Sequence, residues 1–406
     1  MDTFTLPWSR ARRPGSTAEA GATVTLQGVT VNFGGHPRTP GQLETPVRPD
    51  YAGPSVSGVV RALLGPEPPP WLPAPVAGAR AVVLLVLDGF GWLALDAARG
   101  RLPQLAGLEG GPITTVVPST TAAALTSIAS GLTPARHGLV GYRMLVGGQV
   151  LDVLRWKVPE GKAPDPANVT LVRSAFGGRP VPTVVRAEFA RTGFTESHMR
   201  GVRFVGWRTT ATLVTHVARL VAAGERFVYA YYDGVDKVAH EYGITDGFFP
   251  AETVAADRLV GDLLDALPAD VALVVTADHG QVQFERWVTM EPVAAHVRAY
   301  AGDARLRYLY ARTGAEGDLL KAAVDAFADD AWVFSREQLI DEGWLGPEPP
   351  SGDVAARIGH VALAAKGNVA FADPTHPHET RLLAGHGSLS PDEMLVPLLA
   401  GRGRRA

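Results

Sequence analysis

The sequence of 406 residues contains no cysteine. This absence excludes disulfide bonds, thiolate metal ligands and a cysteine nucleophile, so a bound metal must be held by oxygen and imidazole nitrogen. An excess of charge of either sign is also missing, because the formal net charge is only −3. The balance gives no indication of binding to a nucleic-acid scaffold or to an anionic membrane surface.

Long apolar segments are missing as well. Runs such as AVVLLVLDGFGWLAL are much shorter than the roughly 20 residues that a membrane-spanning helix requires. The N-terminal stretch MDTFTLPWSRARRPGS has no apolar segment of about 7–15 residues like that of a secretory signal. These features predict a cytoplasmic protein without membrane association.

Glycine and proline are abundant, with 45 and 32 residues, and they are dense in residues 1–78. We predict that residues 1–78 form an extended arm that packs on the core, with one short helix near Val56–Leu64. Residues 79–295 and 376–406 are predicted to form the core domain. The changed pattern of residues 296–375 predicts an inserted α/β subdomain beside the site.

The core region alternates between two kinds of segment. Three continuous apolar runs, Ala81–Leu87, Phe227–Tyr232 and Val271–Thr276, are typical of strands buried on both faces. Amphipathic helical stretches, Thr209–Ala222 and Glu252–Leu267, lie between them. This order predicts an α/β fold with a mostly parallel central sheet flanked by helices on both faces.

Six potential metal ligands occur at the ends of apolar runs or in a glycine loop. They are Asp88, Asp236, His240, Asp278, His279 and His386. Ligands bind beyond the carboxyl ends of strands in such sheets. Carboxylates and imidazoles gathered there suit a two-metal hydrolytic site, with cations about 4 Å apart that bind the attacking and leaving oxygens.

A hydroxyl-rich turn precedes a predicted helix, Thr121–Ser130. The first turn of a helix favours an anion, so the Thr121 hydroxyl is the best-placed nucleophile. Spacing alone leaves Ser119, Thr120 and Thr126 as alternatives. Structural roles are also open: Thr121 as a helix cap, Asp88 as a turn residue and His279 as a hydrogen-bonded core histidine.

The order of these motifs resembles that of the alkaline phosphatase superfamily, and within it the type I phosphodiesterase / nucleotide pyrophosphatase group. The segment PSTTAAALTSIASGLTPARHGLVGY is similar to that group's stretch from the nucleophile through T/S-G-L-x-P-x-x-H-G. The resemblance covers about residues 80–290 and 375–400 and implies an alkaline phosphatase-like fold.

The resemblance also implies two zinc ions and a covalent mechanism. One zinc would be bound by Asp88, Thr121, Asp278 and His279, and the other by Asp236, His240 and His386. Thr121 would attack phosphorus in line to form a phospho-threonine, which a water activated at the second zinc would then hydrolyse.

The chain departs from the group's pattern at two places. Ala122, Ala123, Ala124 and Leu125 stand where the group commonly has Phe-Pro-Asn-His after its nucleophile, so an aromatic residue of the nucleoside pocket is missing there. Tyr142 stands where the group has an asparagine that binds a phosphate oxygen. A tyrosine hydroxyl can donate the same hydrogen bond, so Tyr142 is predicted to bind substrate.

The predicted protein is therefore a zinc hydrolase of phosphate diester or pyrophosphate bonds in nucleotides or related small molecules. Alternatives are a phosphomonoesterase or phosphonate hydrolase of the same superfamily, or an inactive metal-binding homologue. The predicted partner is a small-molecule phosphate ester, and the oligomeric state is left open. Arg143 and Lys237 lie near ligand-bearing segments, where contact with phosphate oxygens is one alternative, but both are predicted to be solvated surface charges.

Overall fold

A computed structural model describes residues 22–26, 29–33 and 45–406 of the chain. The chain divides into two compact units, Met1–Leu43 and Glu44–Ala406. In the first unit, strand β1 (Ala22–Leu26) pairs antiparallel with β2 (Val29–Phe33). The other residues of the predicted arm up to 44 lie outside the described residues.

The strands of the second unit follow in chain order: β3 (Ala81–Leu87), β4 (Glu109–Thr114), β5 (Arg143–Val146), β6 (Gln149–Asp152), β7 (Pro182–Arg186), β8 (Arg203–Trp207), β9 (Phe227–Tyr232), β10 (Val271–Thr276), β11 (Val282–Gln283), β12 (Arg286–Val288), β13 (Val297–Gly302), β14 (Leu306–Ala311), β15 (Ala331–Ser335), β16 (Val361–Ala365), β17 (Val369–Phe371), β18 (Ala384–Gly385) and β19 (Leu395–Arg402).

The α-helices are α1 (Val56–Leu64), α2 (Trp92–Ala98), α3 (Pro103–Ala106), α4 (Thr121–Ser130), α5 (Pro134–His137), α6 (Pro166–Val169), α7 (Gly193–His198), α8 (Thr210–Ala222), α9 (Gly234–Tyr242), α10 (Phe248–Ala266), α11 (Glu316–Phe327), α12 (Arg336–Asp341), α13 (Gly352–Arg357) and α14 (Pro391–Met394). Short 3₁₀ turns cover Ala74–Val76, Arg99–Arg101, Ala175–Gly178, Ala187–Phe189, Glu291–His296 and Pro377–Arg381. No helix in the described part of the chain is long and apolar enough to cross a membrane.

A seven-stranded sheet forms the centre, in the order β4-β19-β10-β3-β9-β7-β8. All neighbours from β10 to β8 are parallel, whereas β19 runs antiparallel to both β10 and β4. The three predicted strands lie side by side as β10-β3-β9 and are fully buried, because apolar side chains cover both of their faces. The predicted α/β fold is confirmed.

A second, four-stranded antiparallel sheet has the order β13-β14-β16-β15. One of its faces, with α11, encloses a separate apolar cluster that includes Leu309, Leu319, Phe327, Val361 and Phe371. This sheet lies within residues 296–375, and their status as a distinct subdomain stays a prediction.

Candidate active site and metal centre

The candidate site lies at the carboxyl ends of the three central strands. Asp88 follows β3 directly, and Asp278 and His279 follow β10 after a single residue. Asp236 lies in the first turn of α9, just after β9. Because the strands are parallel and in close register, their carboxyl ends bring these side chains to one edge of the sheet.

Gly89 permits the close approach of the segments that follow β3 and β9. Its φ of +71° lies in the left-handed region that favours glycine. A Cβ atom at this position would lie 3.0 Å from the Cα and Cβ atoms of Asp236 and 2.7 Å from Nε2 of Gln281. The Asp88-Gly89 pair therefore supplies one predicted ligand and also the space for the next one.

The six predicted ligands form two groups, each with its ligand atoms within 4.8 Å of one another. The first group is Asp88, Asp278 and His279, and the second group is Asp236, His240 and His386. In the second group, Nε2 of His240 lies 3.3 Å from Oδ1 of Asp236, and Nε2 of His386 lies 3.6 Å from the same oxygen. His240 is one helical turn after Asp236, so the predicted shared face of the helix is present.

In the first group, Nε2 of His279 lies 3.4 Å from Oδ1 of Asp88 and 3.4 Å from Oδ2 of Asp278. Both of these carboxylate oxygens are buried and have no hydrogen-bond partner. Buried anionic oxygens without partners are costly, and a cation between them would remove that cost. The residues present therefore fit a divalent metal.

All three histidines are held in the same way. Each directs its Nδ1–H at a backbone carbonyl, so Nε2 is the nitrogen that faces the other residues of its group. The pairs are His240 with Ala384 at 2.8 Å, His279 with Gly280 at 3.0 Å and His386 with Ser119 at 2.9 Å.

Thr121 is the first residue of α4, and its hydroxyl lies 3.0 Å from Nε2 of His279. Since Nδ1 of His279 carries the proton, Nε2 accepts the hydrogen bond from Thr121. The side chain thus stands beside the first group of ligands at the N-terminus of a ten-residue helix, where backbone N–H groups favour an anion.

The other hydroxyls of the same turn are bonded elsewhere. Ser119 donates to the backbone oxygen of Ser388 and accepts from the amide of Gly387, and Thr126 donates to the backbone oxygen of Ala122. Thr120 bonds the side chain of Asp303. Of the four candidates, Thr121 is the one whose hydroxyl is hydrogen-bonded to the side chain of a predicted ligand.

The electrostatics of the two groups differ. Burial and the neighbouring Asp278 raise the pKa of Asp88 well above its usual range, and burial also raises the pKa of Asp278. Burial works against the charge of Asp236 too, but the neighbouring His240, whose own pKa Asp236 raises, outweighs burial and lowers the pKa of Asp236. The crowded carboxylate pair of Asp88 and Asp278 therefore needs positive charge that the described side chains around it do not supply.

Two residues that the sequence reasoning missed hold the ligands in place. The Tyr231 hydroxyl donates to Oδ2 of Asp88, and Nε2 of Gln281 donates to Oδ1 of Asp236 at 2.6 Å. Gln281 follows the Asp-His-Gly motif directly, and Tyr231 is the penultimate residue of β9. Nothing in their local sequence separates them from ordinary core residues.

The prediction for Arg143 is wrong. Its side chain is 2% exposed and bonds Asp373, at 2.9 Å, and Glu379. Arg307 bonds the same two carboxylates, so four buried charges compensate one another. Lys237 is half exposed and pairs with Asp233 at 2.5 Å, which is consistent with the predicted surface charge.

Tyr142 lines a cavity beside the second group of ligands. Its hydroxyl lies 3.0 Å from Oδ2 of Asp152, and burial together with the charge of Asp152 raises its pKa to about 12. The hydroxyl proton is therefore directed at Asp152 in this structure, and substrate binding by Tyr142 stays a prediction.

The sequence profile described as type I phosphodiesterase / nucleotide pyrophosphatase matches residues 82–389. The chain belongs to this family. It is therefore a phosphoric ester hydrolase of the alkaline phosphatase superfamily, as the motifs predicted. No curated protein sequence matches the chain.

Solved structures of low sequence identity share the fold. Murine ectonucleotide pyrophosphatase / phosphodiesterase 5 is 14% identical, with a TM-score of 0.62 over 79% of this chain and 87% of its own. An inactive variant of that protein in complex with AMP has a TM-score of 0.61, with the same identity and coverage. Phosphonoacetate hydrolase from Sinorhizobium meliloti 1021, in complex with phosphonoformate, is 19% identical, with a TM-score of 0.59 over 80% of this chain and 91% of its own.

Proposed function

We propose that this protein hydrolyses phosphate diester or pyrophosphate bonds with two divalent metal ions, most simply zinc, and with Thr121 as the nucleophile. Asp88, Asp278, His279 and Thr121 would hold one ion, and Asp236, His240 and His386 the other. Bound metal would lower the pKa of the nucleophile and stabilise charge on the phosphoryl oxygens. Nitrogen from three histidines together with carboxylates suits zinc, and also manganese or iron.

The observation that carries this proposal is the position of the Thr121 hydroxyl. It contacts His279 of the first group and lines cavities that also reach Asp236 of the second. Attack forms a bond from Thr121 Oγ1 to phosphorus and breaks the bond to the leaving oxygen. The proton that Thr121 gives up passes through solvent to that oxygen, which departs as an alcohol from a diester or as a phosphate from a pyrophosphate. Water then attacks phosphorus from the vacated side, restores Thr121 and releases a phosphate monoester.

Charge favours a diester over a monoester. Three carboxylates and a threonine alkoxide carry four negative charges, equal to the charge of two divalent cations. A diester adds one negative charge to this neutral set and a monoester adds two. Arg143, a buried arginine that lines the cavity beside the site, is already neutralised by Asp373 and Glu379. The AMP complex of the murine protein shares this fold, and a nucleotide substrate is one form of the proposal.

Replacement of Thr121 by alanine tests the proposal. With bis-p-nitrophenyl phosphate, Thr121→Ala should lower kcat by at least about a thousandfold while zinc content stays near two ions per chain. Thr126→Ala is the matched control, since Thr126 lies on the same helix and bonds only the backbone. Full activity of Thr121→Ala would overturn the nucleophile assignment. The ratio of activity on this diester to that on p-nitrophenyl phosphate separates the diesterase from the monoesterase alternative.

A further inference from the structure

Two cavities of opposite character open on the candidate nucleophile. One, of about 210 Å³, is the apolar cavity, and its walls include Leu125, Val185, Phe194, Met199 and Phe204. The other, of about 260 Å³, is the polar cavity, and its walls include Tyr142, Arg143, Arg155, Asp303 and His378. Thr121, Leu154 and Asp236 line both, so the reacting phosphorus would lie where the two cavities meet.

The chemistry of the proposed reaction assigns the two ester groups to the two cavities. Thr121 attacks from beside His279, so the leaving oxygen departs on the opposite side, toward Asp236, His240 and His386. His240 and His386 line the polar cavity and do not line the apolar one. The leaving group therefore occupies the polar cavity, and the group that stays on phosphorus enters the apolar cavity.

Most polar atoms in the wall of the apolar cavity are already bonded to the protein. The Thr192 and Thr195 hydroxyls bond each other at 3.0 Å at the start of α7. His198 donates its Nδ1–H to the backbone oxygen of Phe194 at 2.7 Å. Burial lowers the pKa of His198 to about 4, which keeps it neutral. One buried hydroxyl, that of Tyr229, has no partner.

The size of the apolar cavity limits what it can hold. A protein cavity of about 150 Å³ accepts benzene, whereas a purine nucleoside has about three times as many non-hydrogen atoms. The sugar of a nucleoside would also bring several hydroxyls to a wall with a single unpaired hydroxyl, that of Tyr229, and unpaired buried hydroxyls are costly. Two charged groups of this wall, Asp233 and Lys237, are already paired with each other.

We propose that the apolar cavity selects diesters whose retained ester group is a single aromatic ring or a compact branched hydrocarbon, in preference to a nucleoside. This inference rests on the proposed function, because it requires Thr121 to be the nucleophile. Val185 on β7, which is 8% exposed and lines the cavity, is a specificity-determining residue in this arrangement.

A series of diesters with one leaving group tests the inference. The retained group would be methyl, phenyl or thymidine 5′-yl, and p-nitrophenol would leave in every case. With the zinc-loaded full chain, kcat/KM for the phenyl ester should exceed that for the methyl ester about tenfold or more and should also exceed that for the thymidyl ester. A phenyl ester no better than methyl, or a thymidyl ester better than phenyl, would overturn the inference and leave the proposed function standing. Hydrolysis of none of the three would contradict the proposed function instead.

Two variants locate the selectivity. Val185→Phe fills the apolar cavity and should lower the phenyl-to-methyl ratio of kcat/KM at least about fivefold. Ala304→Leu fills the polar cavity from an equally buried position. This variant should lower kcat/KM for the phenyl ester and for the methyl ester by a similar factor, so that their ratio stays within about twofold of the native value. A folded Val185→Phe protein with an unchanged ratio would contradict the assignment, and if that variant fails to fold, the substrate series of the native protein decides.

Discussion

The imidazole rings of His279 and His386 lie face to face, with 3.5 Å between their centroids and 14° between their planes. The two residues belong to different ligand groups, one after β10 and the other after β18. Because the rings are this close, protonating both of them would place two positive charges in contact, at a high electrostatic cost. Burial and the neighbouring His279 lower the pKa of His386 well below its usual value. A neutral imidazole is the form that binds a metal.

His386→Gln should therefore remove one of two metal ions. The second group would retain only Asp236 and His240, too few ligands to hold zinc tightly. We expect zinc content to fall from about two ions per chain to about one and activity to fall at least about a hundredfold. Metal analysis after gel filtration measures the first and diester hydrolysis the second. His216→Gln, on α8, is the control. Two full equivalents of tightly bound zinc in His386→Gln would refute this assignment.

Tyr231→Phe should weaken the binding of the metal ion proposed at the first group of ligands. The hydroxyl donates to Oδ2 of Asp88 and leaves Oδ1 for the metal, so its loss frees the carboxylate to rotate. Partners of this kind are worth about 10–100-fold in metal affinity. Competition with a fluorescent zinc chelator measures the change.

The control for that experiment is the next residue of the same strand. The Tyr232 hydroxyl donates to Oε1 of Glu252 at 2.5 Å, away from the ligands. Tyr232→Phe should therefore leave zinc affinity within about twofold. Equal zinc affinities of the two variants would show that the Tyr231 bond does not position Asp88.

Gly89→Ala should disturb the site through the backbone. Left-handed backbone costs a non-glycine residue about 1–2 kcal/mol, and the new methyl group would also press on Asp236. Gly78→Ala is a close control, because Gly78 has a φ of +70° and no atom within 4 Å of an added Cβ. Both variants should lower the free energy of unfolding, but only Gly89→Ala should also lose at least about tenfold in activity. Similar activity of the two variants would show that Asp236 can move without loss.

The clustering of the six predicted ligands could be foreseen because they sit at sequence positions that topology determines. Runs as short, apolar and valine-rich as Ala81–Leu87 and Val271–Thr276 favour interior strands over helices, and parallel strands present their carboxyl ends together. The bounds of these strands and of helix Thr121–Ser130 agree with the structure.

Other elements lacked such a signal. Strand β8 is mostly only partly buried, and β19 contains Pro397 and Gly401, which are unfavourable in strands. The helix predicted at Glu252–Leu267 begins earlier in the structure, at Phe248. The prediction missed this first turn because the turn is apolar and includes a proline, which is tolerated at the start of a helix but does not mark an amphipathic one. Arg143 was misjudged because its partners Asp373 and Glu379 lie more than 200 residues away in sequence, and no local pattern announces a buried ion pair.

Acid should destabilise the fold through two histidines outside the ligand groups. His137 is fully buried between the Ser127 hydroxyl, 2.9 Å from its Nε2, and the amide of Leu139, which donates to its Nδ1. Burial lowers the pKa of His137 to about 3 and that of His198 to about 4. Both rings are neutral in the folded and unfolded states above pH 7, so they cause no pH dependence there.

Below about pH 6.5 the unfolded chain binds protons that the folded chain cannot bind, so stability falls as pH falls. The loss continues to about pH 4 for His198 and to about pH 3 for His137, at roughly 1 kcal/mol per pH unit for each. Urea unfolding of metal-free protein between pH 7 and pH 4 measures it. His137→Gln should lower stability at pH 7, because a polar side chain without the ring's shape is buried, yet show a shallower decline with acid. A decline as steep as that of the native protein and of His216→Gln would mean that His137 becomes protonated in the folded state.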